Sequence, residues 1–192
     1  MIHYQATMRH DENTFKALAH MQYDLFCKKN LVTRTLISFG ALAVGIINYS
    51  QWWGVLLIVY GAYLTSSKYA QADHTAGKMA KGIKAAGLEF PVSRYLFRDN
   101  AMEIITMPEN TSFGDPLMYD DVLKLGEDGD YFYLFRDQFG GYMIPKEEMG
   151  KEVDEFRFFV EQKVGKEFQT QIAPVFKLIR KIDSHNRKNR HQ

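Results

Sequence analysis

Six histidines, one cysteine and a pair of adjacent glutamates are the residues whose types could do chemistry: His3, His10, His20, His74, His185, His191, Cys27 and Glu147-Glu148. The histidines show no ligand spacing such as H-E-x-x-H. His20 and Cys27 stand seven residues apart on a predicted helix and so share a face, but two donors fall short of a metal site. A reactive thiolate at Cys27 needs an activating neighbour, and its position beside a long apolar run argues against one. On a helix, Glu147 and Glu148 point about 100° apart, which suits the positive end of a helix better than acid–base work. Gly140-Gly141 lacks the Lys-Ser/Thr of a phosphate loop and reads as a hairpin turn. Phe132, Phe135, Phe156, Phe158 and Phe159 read as the core and helix lid of a β domain, with a ligand groove as the alternative. The sequence therefore predicts no catalytic, cofactor-binding or metal-binding residues and no cofactor.

Apolarity carries the next argument. Hydrophobic residues make up 46% and charged residues 24%, ordinary averages that hide a segregated chain. From Thr35 to Ser67, 33 residues, there is no Asp, Glu, Lys, Arg or His. A membrane span needs about 20 apolar residues, so this run is too long for one span and slightly short for two. Its centre, Asn48-Tyr49-Ser50-Gln51, is polar and turn-prone. We read Leu31 to Ile47 as a first span, Trp52 to Ser67 as a second, and Tyr49, Trp52 and Trp53 as headgroup-level anchors of the intervening turn. Neither half has the charged face of a soluble helix. Gly54 and Gly61, seven residues apart, share a face on which a partner helix can pack closely. A buried helical hairpin in a soluble protein is the competing reading.

Flanking charge sets the orientation. Lys28, Lys29 and Arg34 precede the run and Lys68, Lys78, Lys81 and Lys84 follow it, while the central turn has none. Positive residues stay inside, so both termini are predicted to be cytoplasmic and the protein to reside in the cell membrane, with Arg34 and Lys68 at the inner interface. Met1 to Asp11 contains no signal-like apolar stretch, which leaves the run itself as the expected insertion signal. One cysteine permits no internal disulfide, and a net charge of +1 gives no general preference for nucleic acid.

The remaining elements are those of an α+β chain. Ile2 to Met8 reads as a strand, Asp11 as the N-cap of a helix that continues into the first span, and Tyr69 to Ala86 as a connecting helix stopped by Gly87. Phe90 to Phe97, Ala101 to Met107, Leu117 to Leu125, Tyr131 to Phe135 and Gly140 to Ile144 read as a meander of antiparallel strands. Pro145 suits a first helical turn, and Met149, Val153, Phe156, Val160, Val164 and Phe168 form one apolar stripe. A meander closed by one amphipathic helix outlines a pleckstrin-homology-like barrel. The predicted segments are 1–30 (strand and helix), 31–68 (transmembrane hairpin), 69–87 (connecting helix), 88–168 (barrel domain) and 169–192 (tail).

The strings Tyr119-Asp120-Asp121-Val122-Leu123-Lys124-Leu125, Tyr131-Phe132-Tyr133-Leu134-Phe135 and Tyr142-Met143-Ile144-Pro145-Lys146 resemble the YcxB-like family of bacterial membrane proteins. The likeness follows the order of elements from Ile2 to Phe168, with Tyr119 where that family usually has Trp. It implies a two-span hairpin before a pleckstrin-homology-like domain in a bacterial inner membrane, and it implies no activity. The expected function is thus a non-enzymatic membrane protein presenting a cytoplasmic interaction domain to an unidentified protein partner or a second copy. The alternatives are a membrane-associated enzyme and a soluble binding protein. Beyond the domain, Lys177, Arg180, Lys181, Arg187, Lys188 and Arg190 face one acid, Asp183. This basic tail is expected to meet anionic lipid headgroups.

Overall fold

The structure, a computed structural model, describes residues 1–107, 111–112 and 114–170. Strand β1 (Ile2–Arg9) is followed by four helices: α1 (Glu12–Phe26), α2 (Lys28–Ile47), α3 (Trp52–Ser66) and α4 (Ala70–Ala85). A β unit then runs through β2 (Val92–Arg98), β3 (Ala101–Met107), β4 (Thr111–Ser112), β5 (Leu117–Met118), β6 (Lys124–Glu127), β7 (Tyr131–Phe135) and β8 (Gly141–Pro145), ending in α5 (Val153–Val164) and β9 (Gln169–Thr170). The α+β expectation holds.

The chain start is locked before the helices begin. Asp11 accepts from the Thr14 N–H at 2.7 Å and its own N–H donates to Thr14 Oγ1 at 2.8 Å, a reciprocal cap on α1. Helix α1 does not run straight into α2: Cys27 leaves helical geometry at φ −103°, ψ 28° and separates the two. The break lets α1 lie on the β unit, where Met21 and Leu25 are buried. Gly126 on β6 makes room for them, because a Cβ there would sit 2.8 Å from Met21 Sδ.

Two sheets pack around one core. β1 pairs antiparallel with β2 along its length, in register Gln5↔Leu96, and β2, β3, β4 and β5 complete the first sheet. The second runs β8-β7-β6-β9, antiparallel except for the parallel β6–β9 pair. Phe97, Phe132, Phe135, Tyr133, Met143 and Phe156 are fully enclosed, with Phe156 of α5 edge-on to Phe97 at 4.9 Å. Glu127 ties the closing helix to the sheet through Lys146 at 2.7 Å and Arg157 at 3.3 Å.

Several sequence expectations are corrected here. Leu117 to Leu125 is no single strand: Tyr119–Asp121 forms a 3-10 turn that carries the chain from one sheet to the other. The turn is fixed by the buried Tyr119, whose hydroxyl donates to the Arg98 carbonyl at 2.9 Å. Pro145 ends β8 instead of opening a helix, and a 3-10 segment, Lys146–Glu152, intervenes before α5. Gly165, at φ 69°, stops α5, so Phe168 lies past the helix although it is buried on Phe132 at 4.9 Å. Phe158 is not core; it is 67% exposed.

The α2–α3 hairpin is packed inside out relative to a soluble protein. Its buried residues are Ser38, Gly45, Gly54 and Gly61. A Cβ on Gly45 would stand 2.8 Å from the Gly54 carbonyl oxygen, and one on Gly61 3.0 Å from that of Ser38, so backbone meets backbone. The large side chains point away: Leu36 is 68%, Ile47 79% and Trp52 75% exposed. Of the two expected spans, Leu31 to Ile47 and Trp52 to Ser67, one has the length of a span. Among the described residues α2 is the one helix long and apolar enough to cross a membrane, whereas α3 has 15 residues. At 1.5 Å rise per residue, α3 covers about 22 Å of a hydrocarbon core about 30 Å thick.

Candidate functional site

The polar residues of the molecule converge at the open base of this hairpin. Arg34, two turns into α2, donates from Nε to the Leu64 carbonyl at 2.9 Å and from Nη2 to the Ser67 hydroxyl. These acceptors belong to the C-terminal turn of α3, where carbonyls lack helical partners and a cation is favourable. Arg34 is half-buried and, among the described residues, pairs with no carboxylate.

Lys68, the other expected inner-interface cation, is committed elsewhere. Its ammonium pairs with Asp24 at 2.9 Å, and the Tyr69 hydroxyl donates to the same carboxylate at 2.7 Å. Tyr69 in turn stacks on His20 with centroids 4.0 Å apart, and His20 Nε2 meets Asp73 at 2.6 Å. This chain of contacts clamps α4 onto α1, with the small Ala76 and Ala80 buried.

Between the clamped helices and the hairpin lies a cavity of about 780 Å³. Gln22, Asn30, Arg34, Gln71 and Thr75 supply a polar wall; Phe26, Ile37, Tyr60 and Leu64 supply an apolar one. The turn between β7 and β8 closes one rim. There Asp137 accepts the N–H groups of Phe139 at 2.7 Å and Gly140 at 3.0 Å, and the Gln22 amide donates to the Gln138 carbonyl. Phe139 lies at the tip of this braced turn and is 82% exposed. Among the described residues the lining contains no Asp, Glu or His, so the groups present can bind and orient but offer no acid–base pair. Cys27 also lies on the wall.

The sequence candidates divide among these places. Tyr49, Trp52 and Trp53 gather at the far end of the hairpin, opposite Arg34 and Lys68. His20 and Cys27 do not come together, because His20 serves the α1–α4 clamp. Glu148 accepts the Thr7 N–H at 3.2 Å and joins β1 to the 3-10 segment. Gly140 ends the β7–β8 turn and Gly141 opens β8 opposite Phe135, within the hairpin read from sequence. Lys177, Arg180 and Lys181 lie outside the described residues. His10 is stacked on Phe15 at 5.2 Å, and burial pushes its imidazole pKa below the usual value. Burial likewise raises the Tyr133 phenol, whose hydroxyl donates to Asp128. Among the described residues no group of three or more His, Cys, Asp or Glu could hold a metal ion. The residues that sequence reasoning missed, Gln22, Asn30, Gln71, Thr75 and Phe139, come from α1, α2, α4 and the β7–β8 turn, and no spacing in the sequence joins these elements.

Comparison of the chain with protein-family models, curated proteins and solved structures found no match.

Proposed function

We propose that this chain is a non-enzymatic membrane protein. In this reading the α2–α3 hairpin is set into a bilayer from the cytoplasmic side, and the β unit is a pleckstrin-homology-like interaction domain held against the inner surface. The reading follows what the resemblance of the sequence to the YcxB-like family implies. The observation that carries the reading is the inside-out hairpin: glycines and a serine inside, large apolar side chains outside. In water monomers rarely leave large contiguous apolar faces uncovered. In lipid it is the expected arrangement, because small residues let helices approach while apolar side chains meet acyl chains. The short α3 is accommodated by local thinning of the bilayer and by Tyr49, Trp52 and Trp53 at the far headgroups. Lys28, Lys29, Arg34 and Lys68 at the base favour cytoplasmic termini. The basic tail, with Lys177, Arg180 and Lys181, supplies a salt-sensitive attraction to the same leaflet.

The 15-residue length of α3 favours a second reading, in which the same faces are covered by a second copy of the chain in a soluble oligomer. Cysteine labelling in intact cells separates the two. A cysteine replacing Ser50, in a Cys27→Ser background, should react with an impermeant reagent while one replacing Asp128 should not, and extraction should require detergent. Labelling of the Asp128 position alone, or recovery as a soluble oligomer, would overturn the membrane reading.

A further inference from the structure

We infer that the cavity at the base of the hairpin holds the headgroup and glycerol end of an anionic membrane phospholipid. The inference rests on the membrane reading above and names the ligand class for it. The cavity straddles the boundary where the charge-free run begins at Thr35: Asn30 and Arg34 lie before it, Ile37 within it. One wall is therefore polar and the other apolar, which matches an amphiphile and neither a wholly polar metabolite nor a bare hydrocarbon.

Charge complementarity selects an anion. Arg34 is spent on neutral acceptors, a carbonyl and a hydroxyl, which among the described residues leaves its positive charge uncompensated and further N–H donors for a phosphate. The other polar groups of the wall, Gln22, Asn30, Gln71 and Thr75, are neutral, and among the described residues no carboxylate lines the cavity to repel an anion. Lys68 shows the contrasting case: its charge is already answered by Asp24. The volume, about 780 Å³, falls in the range of small-molecule sites, roughly 300–1,000 Å³. Ile37, Tyr60 and Leu64 continue without interruption into the outward apolar faces of α2 and α3, so an acyl chain leaving the cavity stays on lipid-facing surface.

The test uses the full chain, purified in mild detergent with phosphatidylglycerol or phosphatidylcholine of matched acyl chains, and counts retained lipid by native mass spectrometry. One phosphatidylglycerol per chain should be retained in preference to phosphatidylcholine. Arg34→Gln should lower that retention about tenfold, the scale of one hydrogen bond to a charged group. Ala72→Trp, which fills the cavity without changing charge, should abolish it, and keeps the test decisive if Arg34→Gln misfolds. Lys81→Gln, an exposed cation of α4 away from the cavity lining, should change nothing. Equal retention of both lipids, wild-type retention by Ala72→Trp, or displacement by inorganic phosphate alone would each overturn the lipid assignment. A chain that needs detergent yet retains no lipid selectively sinks this inference only; a chain soluble without detergent sinks the membrane reading beneath it.

Discussion

Ser38 Oγ on α2 donates to the carbonyl oxygen of Gly61 on α3 at 2.8 Å, a contact that exists because Gly61 has no side chain. A Cβ at Gly61 would fall 2.7 Å from Leu42 Cγ and 3.0 Å from the Ser38 oxygen. Gly61→Leu should therefore force the helices apart and lower stability in detergent by about 1–3 kcal/mol, the usual cost of overpacking. Gly40 is the control, since nothing lies within 4 Å of a Cβ there. Gly40→Ala should be neutral or stabilising by up to about 1 kcal/mol through helix propensity. Thermal unfolding of the two variants checks the pair, and equal effects would contradict the close-packed hairpin.

The β unit depends on Phe156, which is fully enclosed and touches Phe97, Phe132 and Tyr4. Phe156→Ala should cost about 3–5 kcal/mol, as large-to-small core changes do. Phe158→Ala, two residues on and about 200° around the helix at an exposed position, should cost little. Chemical denaturation distinguishes them.

How much of this could be read from sequence depends on whether the signal was local. The Asp11 cap was legible because a cap is decided by residues three apart, and the bounds of β3 and β7 followed from flanking turn residues. The small-residue face of α3 was legible because Gly54 and Gly61 repeat at helical spacing. The Tyr119 corner was not, since an apolar alternating string looks the same whether one sheet partner serves it or two; only the distant Arg98 carbonyl decides. Nor was the end of α5, where Phe168 keeps the stripe's spacing after Gly165 has stopped the helix. The cavity was illegible for the same reason: Gln22, Arg34, Gln71 and Phe139 meet only through packing of α1, α2, α4 and the β7–β8 turn.

His10 gives the fold a pH dependence of definite sign. Burial lowers its pKa in the folded state from the ordinary 6.5, against a smaller opposing effect of Asp11. The folded protein thus favours the neutral ring. The resulting stability is fully present above about pH 6.5 and is lost as pH falls through the lower folded value. Urea unfolding of wild type and His10→Gln across this window should give a stability difference that narrows toward acid. A constant difference would mean that His10 titrates alike in both states.

Phe139 offers a direct probe of the proposed docking of the β unit on a membrane. It is 82% exposed at the tip of a turn that Asp137 braces from within and Gln22 ties to α1. In water this display of a large aromatic ring has no benefit, because the turn geometry comes from the Asp137 carboxylate and not from the ring. The same turn borders a cavity shared with Ile37 and Tyr60 of the hairpin, which brings the ring to the depth where the helices would enter lipid. Aromatic rings are favoured at that depth. With Trp52 and Trp53 changed to Phe, a tryptophan introduced by Phe139→Trp should report its surroundings alone. In reconstituted vesicles its emission should shift to the blue and be quenched by lipids brominated near the headgroup, more strongly than by lipids brominated near the chain end. Lys151→Gln, an exposed cation of the 3-10 segment outside the cavity lining, should leave the signal unchanged. Water-like emission insensitive to either brominated lipid would hold the turn away from the bilayer and count against the docked arrangement of the β unit.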